Sequence, residues 1–229
     1  MLVTVLASTQ LHDLPGMEPD GNASDAETLI EFAGRLCYKS FDKPNEKTRA
    51  NKDYIANIIK QQHYSVLEHG SVTFLVQAVS RSLTHELVRH RHLSFSQLSQ
   101  RYVNQARIGS VVPPVVHELL DDETFDLLSD DMNALFSESR DVYVAIEDAL
   151  IEAGANKKEA RGAARAVLLE STTTEIVVTG NHRSWREFIQ KRNSPHADAE
   201  IRELSGQILD HLSDLAPSIY ADLVGEETA

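Results

Sequence analysis

The sequence predicts an α/β fold: a single domain over residues 1–229, with a small mixed sheet flanked by helices, one of them long, acidic and amphipathic. Three observations predict it. Only three stretches, Leu2 to Ala7, Ser71 to Val79 and Ser171 to Thr179, are rich in β-branched residues and free of helix signals. Most of the remaining chain repeats its apolar residues at helical spacing behind capping patterns. No internal repeat, low-complexity tract or convincing linker divides the 229 residues, a length that buries a sizeable core.

In order, the strand Leu2 to Ala7 precedes a Pro/Gly/Asp loop. Ser24 with Glu27 has capping-box spacing and opens a helix bearing Leu29, Ile30, Ala33 and Leu36. A second helix carries Tyr54, Ile55, Ile58 and Ile59. Ser65 and Glu68 repeat the box spacing, which predicts a single helical turn ahead of the strand Ser71 to Val79. Ser80 caps a helix that runs through Leu83, Leu87 and Val88 into an arginine-rich stretch. Val111-Val112-Pro113-Pro114 is a connector. Beyond it, Met132, Leu135, Phe136, Val142, Tyr143, Ile146 and Leu150 predict the long acidic helix, ending near Gly154. Asn156 with Glu159 opens a helix containing Arg161 and Arg165. Ser184 with Glu187 opens a short helix carrying Arg186 and Arg192. Ile201, Leu204, Ile208, Leu212 and Leu215 define the last helix, which Pro217 interrupts.

Composition sets the class. The chain is 41% apolar and 25% charged, ordinary for a globular protein. No apolar run is long enough to span a membrane, and the apolar start, Met1 to Ala7, lacks the basic leader of a signal sequence. Cys37 is the single cysteine, so no intramolecular disulfide forms and a reducing cytoplasm is expected. Within its helical pattern Cys37 reads as a buried, inert thiol.

The net charge of −13 is unevenly distributed. Residues 118–152 hold twelve carboxylates against Arg140, whereas residues 81–107 hold five arginines against Glu86. An acidic body disfavours a general nucleic-acid binder, which must neutralise many phosphates. A basic patch on that body suits a small anion.

That patch centres on Arg89-His90-Arg91-His92-Leu93-Ser94-Phe95-Ser96-Gln97-Leu98-Ser99-Gln100-Arg101-Tyr102, which contains no carboxylate. A guanidinium fork matches phosphate and carboxylate oxygens two at a time. The stretch is either a solvated basic face or a pocket built around an anion, and the hydroxyls and amides between the arginines favour the pocket. On a helix, Arg81, His85 and Arg89 share one face, with Arg81 and Arg89 ~12 Å apart along the axis. Glu86, three residues before Arg89, is placed to hold its guanidinium.

Other chemistries are demoted. His85 and His90 superficially resemble a zinc-protease helix, but five residues turn a helix by ~500° and leave the rings ~140° apart. No metal site is expected. None of the ten glycines forms GxGxxG or a phosphate loop, so any flavin or nicotinamide is held in another way.

Arg89-His90-Arg91, then seven residues, then Ser99 resembles the signature of the flavin-dependent thymidylate synthases. The segment His63 to Phe74 resembles that family's His-x-Ser/Thr-x-x-Glu-His run into a strand. Asn181-His182-Arg183-Ser184 resembles its Asn-x-Arg segment, and Arg192 with His196 resembles the arginine and histidine that follow. The resemblance implies reductive methylation of dUMP at C5 to give dTMP, with methylenetetrahydrofolate as carbon donor, FAD as redox cofactor and NADPH as reductant. It implies that Arg192 contacts the uracil edge and stabilises negative charge there, with Ser99 as a positioning and polarising group. It assigns Glu86, Arg89, Gln97, Leu98, Ser99, Gln100, Arg101, Arg165 and Arg192 to dUMP, Arg101 and Arg165 being its phosphate ligands. To FAD it assigns Ser65, Arg89, His90, Arg91, Gln97, Asn181, His182, Arg183 and Glu187. It further implies a homotetramer with sites shared between subunits, and no nucleic-acid or membrane partner. Ser96, Gln97 and Glu187 depart from the family's common Asn, Glu and Asn. Two rival classes are a non-catalytic nucleotide- or RNA-binding module using the same arginines, and a cofactor-free enzyme acting on a phosphorylated metabolite.

Overall fold

Apolar residues two apart make strands and apolar residues three to four apart make helices, and the computed structural model, which describes residues 1–224, follows both periods. Four strands, β1 (Leu2–Ser8), β2 (Ser71–Ser80), β3 (Ser94–Gln97) and β4 (Thr173–Asn181), form one sheet in the order β1-β2-β4-β3, antiparallel throughout. The helices are α1 (Asp25–Leu36), α2 (Asn51–Lys60), α3 (Arg81–Leu87), α4 (Pro114–Leu119), α5 (Asp122–Glu152), α6 (Lys157–Ala164), α7 (His182–Arg192), α8 (Ala199–Leu215) and α9 (Pro217–Tyr220). Short 3-10 turns cover Glu46–Thr48, Tyr64–His69 and Arg165–Val167.

The chain divides into two compact units. The first holds Met1–Leu2, Val76–Arg89 and Ser96–Ile176; the second holds Val3–Leu75, His90–Phe95 and the described residues 177–224. In the first, α5 packs on α6 and on the turn after it, and Val76, Val79, Leu83, Leu87, Phe136, Tyr143, Ala160 and Ile176 are buried. In the second, Ile30, Ile55, Leu67, Phe74, Trp185, Phe188, Ile201, Leu204, Ile208 and Leu212 form the core. Trp185 meets Phe74 and Phe188 edge to face at 5.1 Å and 5.9 Å, and its indole N–H donates to the Val72 carbonyl. That bond satisfies the polar end of the largest buried side chain.

Several caps form as the sequence predicts. Ser24 with Glu27 and Asn156 with Glu159 make complete capping boxes, and Ser80 accepts from the Leu83 amide. Other expectations are corrected. Ser65 caps nothing: His63 precedes the 3-10 turn and offers no side-chain cap. The cap of α7 is Asn181 rather than Ser184, because the Asn181 amide oxygen reaches both the Ser184 N–H and its hydroxyl at 2.9 Å.

The buried face of α1 is displaced as well. Leu36 is exposed, while Glu27, Glu31 and Arg35 are buried. Polar partners decide this. Glu31 accepts from Arg35 Nε at 2.6 Å and from Asn51 Nδ2 at 2.9 Å, and Arg35 donates to the Ser40 and Thr48 carbonyls. Its guanidinium lies over the Tyr54 ring, so the pair is neutralised and saturated, the condition for burying charge. With that face turned inward, Cys37 is exposed instead of buried.

The helix begun at Ser80 does not run into the arginine stretch. It stops at Leu87 with Val88 as cap, a turn follows, and β3 begins at Ser94. Arg89 therefore does not share a helix face with Arg81 and His85. Serine, phenylalanine and glutamine at 94–97 alternate on a strand because the backbone there pairs with β4; the amide of Leu98 then donates to the Glu175 carbonyl. At the other end of α3, Ala78 takes a left-handed φ of 55°. This breaks the alternation of β2, so that Val79 and Ser80 are both buried and Ser80 is turned into its capping position.

Candidate functional site

In the first unit, the start of α3, the end of β3 and the turn after α6 converge on a cavity of about 360 Å³. Arg81, Thr84 and His85 face it from α3, Gln97 and Gln100 from β3 and the following turn, and Arg165 and Glu170 from the opposite wall. The helix period explains the first set: positions 81, 84 and 85 lie on one stripe of α3. Arg81 is half-buried, and burial pulls its guanidinium pKa down while Glu170 opposes that and Arg165 adds to it. Two cations facing one cavity beside one carboxylate leave it electropositive, the condition for an anion. The Gln97 amide nitrogen donates to the hydroxyls of Thr84 and Thr174 at 2.9 Å and 3.3 Å. That turns its carbonyl oxygen into the acceptor available for a ligand N–H.

Of the predicted nucleotide residues, Gln97, Gln100 and Arg165 line this cavity. Glu86, Arg89, Leu98, Ser99 and Arg101 neighbour the lining residues in sequence but are not among its described lining. Ser99 Oγ accepts from the Arg101 amide, which fixes the turn between them. Arg161 donates to Glu147 at 2.8 Å and to the Tyr102 carbonyl at 2.6 Å, and Asn104 donates to Glu147 at 2.7 Å, so α5 and α6 hold the loop carrying Arg101. The sequence reading missed Thr84 and Glu170. Thr84 was legible as the third member of the Arg81/His85 stripe, whereas Glu170 carries no local signal.

In the second unit, two cavities of about 470 Å³ and 310 Å³ share Tyr64 and Arg183. The larger is also lined by Cys37, Tyr38, Tyr54, His63 and Ser65, the smaller by Arg186, Glu187 and Gln190. Ser65, Arg183 and Glu187 from the predicted flavin set are thereby brought together. Arg183 also pairs with Glu68 at 2.6 Å, both side chains being about half-exposed, so the pair is cheap to exchange for a ligand anion. Glu187 pairs with Lys191, which holds its carboxyl below the usual range.

Arg89, His90, Arg91, Gln97, Asn181 and His182 lie outside the described lining of both cavities. The Asn181 side chain is the α7 cap. His182 is fully buried, with Nδ1 2.8 Å from the Tyr220 hydroxyl and Nε2 lacking a partner. Its ring abuts Gly70, where an added Cβ would stand 2.7 Å from the imidazole. Arg91 is exposed on the turn before β3. His90 Nε2 accepts from Arg192 Nε at 2.9 Å, and burial, with Arg192 second, lowers the His90 pKa to about 4. Among the described residues no cluster of three or more His, Cys, Asp or Glu is arranged to hold a metal. No helix among them is long and apolar enough to cross a membrane.

The comparisons with known proteins agree on one family. The family model described as thymidylate synthase complementing protein matches residues 21–218. The chain is 44% identical to a flavin-dependent thymidylate synthase of Mycolicibacterium vanbaalenii and 45% identical to one of Mycobacterium avium, over 96% of this chain and 88% of each relative. It is 46% identical to a probable flavin-dependent thymidylate synthase of Mycobacterium phage D29, over 99% of this chain and 97% of that one. A match across most of the chain at this identity means that the chain belongs to the thymidylate synthase complementing protein family.

Proposed function

We propose that the chain is a flavin-dependent thymidylate synthase, converting dUMP to dTMP with methylenetetrahydrofolate as carbon donor, FAD as redox cofactor and NADPH as reductant. The observation that carries the reading is the electropositive cavity of the first unit, which offers Arg81 and Arg165 to an anion and amides to a polar ring. Its size suits a mononucleotide rather than a polymer. Family membership then selects the uracil nucleotide among such anions.

The residues of the second unit fit a flavin dinucleotide. Two cavities that share Tyr64 and Arg183 in their walls offer a guanidinium to both and tyrosines to the larger, groups that suit a diphosphate and a planar ring. Arg183 stands in the first turn of α7, where the positive end of the helix dipole adds to its charge. Ser65, Tyr64, Arg183, Glu187 and Gln190 would hold the cofactor. When bound, FAD supplies the reducing electrons that complete the methyl group.

The chain's own groups bind and polarise. Arg165 and Arg101 neutralise the nucleotide phosphate, and Gln97 and Gln100 read the base. Arg192 stabilises negative charge developing on the uracil edge, which makes C5 electron-rich without a cysteine adduct. Ser99 positions the ring. In the proposed homotetramer one active site draws residues from several chains. The purified chain is expected to be yellow and to form dTMP only when dUMP, methylenetetrahydrofolate and NADPH are all present. A colourless protein that gains no flavin absorbance on adding FAD refutes the reading.

A further inference from the structure

We propose that His90 is a positioning residue for Arg192: its ring nitrogen Nε2 accepts the Arg192 Nε–H and fixes the plane and heading of the guanidinium. The inference rests on the reading of Arg192 as the group acting on the uracil edge. The contact joins residues far apart in sequence, the turn after α3 and the last turn of α7, at 2.9 Å. The His90 ring is itself held, lying edge to face on Phe188 with centroids 5.1 Å apart, and Phe188 is fully buried. A ring braced by a core aromatic has one orientation to offer. Gripping Nε leaves the two terminal nitrogens of Arg192 in a set direction, and a guanidinium on four rotatable bonds otherwise lacks one.

Acceptance at Nε2 requires the neutral imidazole with its proton on Nδ1. The surroundings favour that state: partial burial and the cations Arg192 and Lys191 on α7 disfavour a second proton, opposed by Glu187 alone on that helix. Arg91 and His92, the next residues on its own turn, add no negative charge. His90 therefore remains an acceptor at neutral pH. A 1 Å misplacement of a catalytic group costs roughly 100-fold in rate, which sets the scale of the effect.

The test compares three variants of the full, flavin-loaded chain. His90→Phe keeps a ring against Phe188 but removes the acceptor. It is expected to lower kcat, measured at saturating FAD, roughly 10- to 100-fold while the calorimetric Kd for dUMP stays near the parent's. His90→Gln, whose amide oxygen can serve the same N–H, is expected to recover most of that loss. In an Arg192→Lys background, which lacks Nε–H, His90→Phe is expected to cost nothing further. Nitrogen-15 spectra of the parent should show His90 as the Nδ1–H tautomer at neutral pH. Additive losses in the double variant or a ring protonated on Nε2 would each overturn the proposal. A parent chain without turnover overturns the functional reading instead, and the ring tautomer then judges the contact alone.

Discussion

Acidifying the protein should expose His182. Its ring is fully buried beside Tyr220, and burial lowers its pKa from 6.5 to about 4. The unfolded chain regains the ordinary value and so binds the proton first as pH falls. Stability due to the neutral ring is then fully present above about pH 6.5 and is lost progressively toward pH 4. At about 1.36 kcal/mol per unit the whole gap is worth about 3 kcal/mol, of which about 2.5 kcal/mol is gone by about pH 4.5. Denaturant unfolding at about pH 7 and about pH 4.5 measures it, provided other groups are subtracted. His182→Gln supplies the subtraction: it keeps a hydrogen-bonding partner for Tyr220 without a titrating proton. The variant should be less stable at neutral pH yet lose about 2.5 kcal/mol less than the parent on acidification. Equal losses in parent and variant would show that the ring does not titrate as a buried neutral group.

Arg165→Ala removes an exposed cation from the cavity of the first unit. It is expected to raise the dUMP KM roughly 10- to 100-fold, as one charge-assisted contact is worth about 1.5–3 kcal/mol, while Arg192→Lys should lower kcat; steady-state kinetics of both separate binding from charge stabilisation. Arg35→Met leaves the buried Glu31 only Lys43 at 3.5 Å and the Asn51 amide and is expected to cost about 3 kcal/mol in chemical denaturation, a loss that pairing it with Glu31→Leu should reduce. Ala78→Gly relieves the left-handed φ and is expected to stabilise the fold by about 0.5–1 kcal/mol; a lowered Tm would contradict the strain.

Local signals in the sequence determined most of the helices. Capping boxes at Ser24 and Asn156 and the cap at Ser80 act over three residues, so no distant partner is needed to read them. The alternation of β2 and β4 was legible for the same reason. The signature around Arg89 and Ser99 marked the site-bearing segments, because residue identity, not placement, carries that information. Tertiary structure decided the rest. α3 stops at Leu87 because residues 94–97 gain more by pairing with β4 than by continuing a helix, and strand pairing is non-local. Cys37 is exposed because α1 turns its Glu31–Arg35 pair toward Asn51, a partner twenty residues away that no helical periodicity reveals. His182 sits in the core, and not at a surface, because Gly70 leaves room for its ring and Tyr220 supplies a hydroxyl. The partnership of His90 with Arg192 likewise exists only where two distant segments meet, since a hydrogen bond depends on position in space and a sequence records only order.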